Sequence, residues 1–265
     1  MHRTWLISLM VVALAGMPLQ GHTSETKGSP EIDALIKRLE DSGALDAAVD
    51  RGIQRYVQRQ RDAQREQQRT QTESAKNARK VDLKRDRIFG NLQAEVSLIV
   101  YDDLECPFCK RFAGTPEQAI AKFDGKANIV FRHFPLPFHG EMAKRGAYYA
   151  ECVARQVNSG ALFAFANDWL KLTGANGEGL PEGEAQIKEI AKAAGAKDFA
   201  ALDACTRDPA VAQLVRDDIA DGVRSGITGT PGVVVRNNKT GFSLSIIGAV
   251  PAQTLEQGIQ KALAN

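Results

Sequence analysis

Two cysteines three positions apart, Cys106 and Cys109, follow closely on an apolar run over residues 96–101. That run has the length and the valine, isoleucine and tyrosine content of a buried strand. Pro107, between the cysteines, suits the first turn of a helix, where a missing N–H leaves no hydrogen bond unmade. The fold must therefore place a thiol pair where a buried strand hands over to a helix. There the first thiol lies among unpaired N–H groups at the positive end of the helix dipole, which favours its thiolate. Cys106 is expected to be the nucleophile, and Cys109, one turn further in and more shielded, the resolving thiol. Phe108 brings no charge, so the helix terminus is expected to be the main cause of a moderately depressed Cys106 pKa, with Glu105 opposing it. Structural zinc wants four ligands, and the remaining cysteines, Cys152 and Cys205, are distant singles. A purely structural bridge is the other bland alternative, but so tight a pair around a proline, behind a strand, is the redox pattern.

The 265 residues suffice for one large domain with an appendage, and Lys+Arg 34 against Asp+Glu 32 gives no reason to expect a nucleic-acid partner. At the N-terminus His2 and Arg3 precede an apolar run over residues 5–17 and a helix-breaking stretch over 18–21. This pattern predicts a secretory signal peptide over residues 1–22, since the run falls short of the roughly 20 residues a spanning helix needs. The compartment expected is extracytoplasmic, where disulfide chemistry is permitted.

Pro30 opens a helix in which Ile32, Leu35, Ile36 and Leu39 share a face, stopped near Ser42 and Gly43. A second helix carries Leu45, Val49, Ile53, Tyr56 and Val57 at helical spacing. From 58 to 80 the apolar residues nearly vanish while good helix formers continue, which reads as a solvated stalk with no face to pack. Two short amphipathic helices have too little core to stand alone, so residues 23–60 are expected to self-associate, with 61–86 as spacer. Folding of those faces back onto their own domain is the alternative.

Beyond residue 82 a lead-in with a turn at Gly90 and Asn91 precedes the strand over 96–101, and a helix is expected over 107–123. A strand over 128–134 follows, with Val130 and Arg132 taken as its alternation. Residues 139–225 read as helical, interrupted by the glycine-rich turn 173–183; then come a hairpin of strands 232–236 and 242–247 and a last helix with Leu255, Ile259 and Leu263 on one face. Strand–helix–strand, helical insertion, strand–strand–helix is the α/β thioredoxin fold with an inserted helical subdomain, here preceded by an all-α N-terminal region and a helical stalk. Pro231, in Thr-Pro-Gly before the hairpin, belongs at a strand entrance or special turn because proline cannot sit in a central strand. His133 and His139 lack a third partner for a metal site and read as satisfied fold histidines.

The segments LECPFCKRF, FRHFPLPFHGEMAKRGAYYAEC and SGITGTPGVVV resemble the DsbA-like branch of bacterial periplasmic thiol-disulfide oxidoreductases over residues 88–265. The N-terminal region is similar in architecture, not in motif, to the oligomerising extensions of the DsbC, DsbG and ScsC kind. The resemblance implies that Thr230-Pro231 is a cis peptide facing the cysteines, with Thr230 offering an edge to an extended substrate. It also implies that Cys152 and Cys205, in the insertion, form a structural disulfide, one of the three connectivities four cysteines permit. Phe108 stands where DsbA has a histidine, and Thr230 where DsbA has a valine; threonine there is the habit of the isomerases.

Three functions are consistent with these readings. The first is a periplasmic disulfide isomerase or reductase that shuffles non-native disulfides in exported proteins, kept reduced by a DsbD-like membrane partner. The second is a DsbA-like oxidase recharged by a DsbB-like partner. The third is an oligomeric chaperone with secondary redox activity. The stalk and Thr230 favour the first, with a homo-oligomer, dimer before trimer. No organic cofactor or metal is implied, because the electrons move through sulfur.

Overall fold

The computed structural model describes residues 29–265, and the signal-peptide pattern over 1–22 lies outside them. The chain divides into two compact units, one ending at Gln60 and one from Arg61 to Asn265.

In the first unit, helix α1 (Pro30–Asp41) begins with Ser29 as its cap and Pro30 in its first turn, and it ends at the left-handed Gly43. Helix α2 (Ala44–Ala75) starts beyond that glycine. The apolar residues of both helices, from Ile32 through Leu35, Ile36 and Leu39 to Leu45, Val49, Ile53, Tyr56 and Val57, are all exposed.

The second unit is built on a five-stranded sheet of order β1-β3-β2-β4-β5, formed by β1 (Arg87–Gly90), β2 (Val96–Asp102), β3 (Ala127–His133), β4 (Gly232–Asn237) and β5 (Ser243–Ile247). Strands β2 and β3 are parallel and the other pairs antiparallel. Successive residues of β2 feed opposite faces: Val96, Leu98 and Val100 join the larger core, while Ile99 and Tyr101 join a second cluster behind the sheet. The larger core is completed by α10 (Ala252–Leu263), which buries Leu255 and Ile259, and by the helical insertion. That insertion consists of α5 (Gly140–Gln156), α6 (Ser159–Leu172), α7 (Glu184–Ala193), α8 (Phe199–Thr206) and α9 (Pro209–Arg224). Cys152 on α5 and Cys205 on α8 are joined in a disulfide.

Four expectations need correction. The helix expected over residues 107–123 is two short ones, α3 (Pro107–Phe112) and α4 (Thr115–Ile120), followed by a 3-10 turn, Ala121–Phe123. Pro116 would clash with the carbonyl four residues before it, so the chain breaks ahead of it at the left-handed Gly114. The lead-in before residue 94 contains a true edge strand, β1, paired with β3 from Arg87↔Phe131 to Gly90↔Asn128. Strand β3 does not alternate between core and solvent; all seven of its residues are buried, Arg132 included.

The fourth correction concerns the stalk, which is not solvated to its end. Ala75 and Ala78 are buried against the second face of the sheet with Ile88, Ile99, Tyr101, Val130 and Ile227. Behind them lies a network of charges. Arg132, 0 % exposed, bonds Asp86 at 3.0 Å and Asp221 at 2.6 Å, and it also donates to the carbonyl of Arg79 at 3.0 Å. Arg79 in turn bonds Asp86 and Asp218, and its backbone N–H donates to Asp221. Each buried charge thus meets opposite charges and hydrogen-bond partners, the condition on which burial is tolerated. Residues 75–86 are a structural part of this unit.

Candidate thiol–disulfide site

Strand β2 ends at Asp102, and a tight turn carries the chain into α3: the N–H of Cys106 donates to the carbonyl of Asp103 at 3.0 Å. Cys106 caps α3 in an extended conformation with Pro107 in the first turn. Cys106 is only 3 % exposed and Cys109 is fully buried, and both are free thiols. The Thr230–Pro231 peptide is cis, and the Cys106 thiol donates to the Thr230 carbonyl at 3.4 Å. Residues 106–109 and 230–231, more than a hundred positions apart, therefore share one site. Phe108 stands at its rim, 50 % exposed, under the Arg111 guanidinium at 4.5 Å. Cys152 and Cys205 lie in the insertion and take no part in it.

A groove of about 240 Å³ runs past Cys106, walled by Pro107, Phe108, Leu136, Phe138, His139 and Thr230 among others. Its lining is mainly apolar, as suits an extended polypeptide laid beside a reactive sulfur.

The two thiols are set in opposite directions. Cys106 is lowered to about 6, first by a hydrogen bond from the Cys109 thiol, against the opposing effect of burial; the Thr230 side chain, rather than its carbonyl, and the backbone N–H groups of Cys109 and Phe108 add to the lowering. Cys109 is raised well above its ordinary value, chiefly by burial and next by its bond to Cys106. The helix terminus contributes to the acidity of Cys106, but the neighbouring thiol leads, contrary to the sequence expectation.

Two acidic residues, Asp102 and Asp103, escape the sequence pattern, and a third, Glu105, acts otherwise than the sequence suggests. Asp102, directly before the turn, is pushed up to about 7 by burial, partly offset by a hydrogen bond with Cys109, and among the described residues its Oδ1 has no partner. Asp103 fastens the turn, accepting the N–H of Glu105 at 2.9 Å and that of Leu136 at 2.8 Å. Glu105, expected to oppose the thiolate, is turned into the insertion, where it accepts from Trp169 Nε1 at 2.7 Å, Thr173 Oγ1 at 2.8 Å and the Gly179 N–H at 2.9 Å. It ties the glycine-rich turn to the cysteine loop. The one available signal was position: acids directly between a buried strand and a thiol pair are poorly placed for solvent. His139 is paired with Asp103, and His133 lies 3.9 Å from Glu151.

An acidic, groove-facing sulfur beside a buried, proton-retaining one is equipped for thiol–disulfide exchange, with attack at Cys106 and resolution through Cys109. Comparison with known proteins agrees. The family described as Thioredoxin matches residues 82–246. DsbA2 of Pseudomonas aeruginosa superposes with a TM-score of 0.59 at 30 % identity, covering 68 % of this chain and 96 % of that one. A thioredoxin-like oxidoreductase of Silicibacter pomeroyi (24 % identity, 72 % and 97 % covered, TM-score 0.56) and the catalytic domain of Proteus mirabilis ScsC (20 %, 68 % and 90 %, 0.53) share the fold. Curated relatives include the Na(+)/H(+) antiporter NhaA 1 of Mycolicibacterium gilvum, 37 % identical over 81 residues, and NhaA of Herminiimonas arsenicoxydans, 30 % identical over 159 residues. These cover 31 % and 60 % of the chain, and only 13 % and 24 % of the antiporters' own length. Through the matched span, which holds the sheet, the cysteine turn and the cis-proline together, the chain belongs to the thioredoxin family.

Proposed function

We propose that this chain is a DsbA-like periplasmic thiol oxidase, which donates a Cys106–Cys109 disulfide to cysteine-containing exported proteins and is recharged by a DsbB-like membrane partner. The observation that carries the reading is the split between the two thiols, Cys106 lowered to about 6 and Cys109 raised. A stabilised Cys106 thiolate favours the reduced protein and so makes its disulfide a strong oxidant. The likeness to Pseudomonas aeruginosa DsbA2 supports the same assignment.

In the oxidised protein a substrate thiolate attacks Cys106 Sγ, a new sulfur–sulfur bond forms, and the Cys106–Cys109 bond breaks with its electron pair on Cys109. Cys109 then holds a proton readily, and Asp102, hydrogen-bonded to it and poised near 7, is the group able to supply one. A second substrate thiolate attacks the substrate's sulfur in the mixed disulfide and releases Cys106 as the thiolate. Two electrons pass from substrate to protein. Thr230 and the groove hold the substrate chain alongside.

A second reading, the disulfide isomerase, is favoured by the exposed apolar faces of α1 and α2, which would join copies of the chain into a homo-oligomer gripping misfolded clients. The proposed assembly is one in which those faces cover each other. Incubating reduced ribonuclease with the oxidised protein, and scrambled ribonuclease with the reduced protein, separates the readings. Fast oxidation with little unscrambling is expected; the reverse pattern would replace the oxidase by the isomerase. Solution mass of the full chain beside Val49→Asp tests the assembly, which is expected to dissociate in the variant.

A further inference from the structure

His139 lines the groove beside Cys106, and the exchange chemistry above leaves it without a role. It ends the 3-10 turn Pro137–His139 and directly precedes α5. Nδ1 of its nearly buried ring lies 2.7 Å from Asp103 Oδ2. That carboxylate also accepts the N–H groups of Glu105 and Leu136, while the Asp103 carbonyl accepts that of Cys106. Asp103 thus bridges the turn that presents Cys106 and the segment that carries His139. A carboxylate has no proton to give, so Nδ1 donates, and the lone pair of the neutral ring is on Nε2. Among the described residues Nε2 has no hydrogen-bond partner, and it is not sealed from solvent as the unpartnered Nε2 of His133 is. The groove around it is walled by neutral side chains, Leu136, Phe138, Asn176 and Thr230 among them. The titratable groups near the ring are Asp103 behind it and Cys106 along the wall; Glu178, on the neighbouring turn, folds against Gly174.

We infer that His139 is the general base for the incoming substrate thiol, held by Asp103 with Nε2 toward the groove. The inference rests on the proposed exchange at Cys106. As the substrate sulfur approaches Cys106 Sγ, its proton passes to Nε2, its electron pair forms the new sulfur–sulfur bond, and the pair of the broken Cys106–Cys109 bond goes to Cys109. The imidazolium, beside the Asp103 carboxylate, then loses its proton to water; in the reverse direction it protonates the departing thiolate. An alkyl thiol of pKa about 8.5 is roughly 3 % ionised at pH 7, so such a base can accelerate the step by at most about thirtyfold.

The test is single-turnover reduction of the oxidised full-length protein and of His139→Gln by two thiols, a cysteine-containing peptide and an aryl thiol whose pKa lies below the assay pH. The variant is expected to react about tenfold more slowly with the peptide at pH 7 and within twofold of the native rate with the aryl thiol, which arrives already ionised. The deficit with the peptide should close toward pH 9. Equal slowing with both thiols, or none with the peptide at pH 7, would overturn the inference. A native protein that exchanges with neither thiol would overturn the exchange reading itself. Independently of any variant, nitrogen-15 spectra of the native imidazole are expected to show the proton on Nδ1; a proton on Nε2 in the neutral ring would overturn the assignment.

Discussion

Cys106 and Cys152 are almost equally buried, at 3 % and 1 % exposure, yet one belongs to a free thiol pair and the other to a closed bridge. Burial therefore does not sort the two cysteine pairs. Separation along the chain and local chemistry do. Cys152 and Cys205 are 53 residues apart on different helices, and on the chain-entropy account closing a loop of that length is worth about 4 kcal/mol. A bond between Cys106 and Cys109 spans one helical turn, so opening it releases little chain, roughly half as much on the same account. Both pairs border the same apolar core, but Cys106 is also flanked by the helix N-terminus, the Thr230 side chain and Cys109, all of which favour its thiolate. One pair is suited to holding the fold, the other to exchanging electrons without disturbing it.

The largest expected break in this contrast is Cys106→Ser, which removes the attacked sulfur and should reduce exchange with any thiol by at least about a thousandfold, to the uncatalysed background. Removing both Cys152 and Cys205 as serines should do the opposite, leaving exchange with a small thiol within about twofold while lowering stability by about 4 kcal/mol in denaturant titration. Loss of exchange in that double variant would mean the second pair is not merely structural.

Asp102→Asn should have a smaller and pH-dependent effect. A carboxyl whose folded pKa is about 7 against an ordinary 3.8 favours the fold when protonated, and that contribution is lost as pH rises from about 4 through 7. The asparagine variant is therefore expected to be more stable than the native protein at pH 8, by at most about 4 kcal/mol in denaturant titration, and to gain nothing at pH 3. It should also form the mixed disulfide more slowly, because the departing Cys109 sulfur loses its proton donor.

Alkylation of the reduced protein by iodoacetamide should rise with pH through a midpoint near 6, since the reactive species is the Cys106 thiolate. A group lowered from 9.0 to about 6 stabilises the fold fully above pH 9 and loses that contribution as pH falls toward 6. The melting temperature of the reduced native protein, compared with Cys106→Ser, should accordingly increase between those limits. The smallest effect expected is that of removing residues 29–60, which should leave exchange with a small thiol unchanged per cysteine pair.

Much of the sheet and the thiol pair at a helix start was legible because each rests on local rules: apolar runs, proline placement, helix-terminal chemistry; that Thr230-Pro231 faces the cysteines was implied only by the family resemblance. What escaped was decided by partners distant in sequence. Arg132 reads as an outward-facing residue until Asp86 and Asp221, 46 and 89 positions away, are seen to bond it. Ala75 and Ala78 are too small to mark a packing face, yet they close the back of the sheet. Glu105 beside Cys106 suggested repulsion because adjacency in sequence says nothing of direction; Trp169 and Thr173 take its charge elsewhere. The break at Gly114 and Pro116 was visible in the residues themselves and was overridden by the strength of the helical pattern around it.

The Arg79–Asp86–Arg132–Asp221 network bears on where the catalytic module can be cut or grafted. Composition places the seam near residue 82, where polar repetition gives way to apolar strands, but the folded part reaches back past it. A module severed at that seam would leave Arg132 and Asp221 without Arg79 and would open the cluster that Ala75 and Ala78 close. Truncating a buried ionic network in this way typically costs about 3–5 kcal/mol, a large share of a domain's stability. The transplantable piece is therefore longer than the recognisable one, and chimaeras joined upstream of residue 75 should inherit a sound fold where those joined at 82 would not.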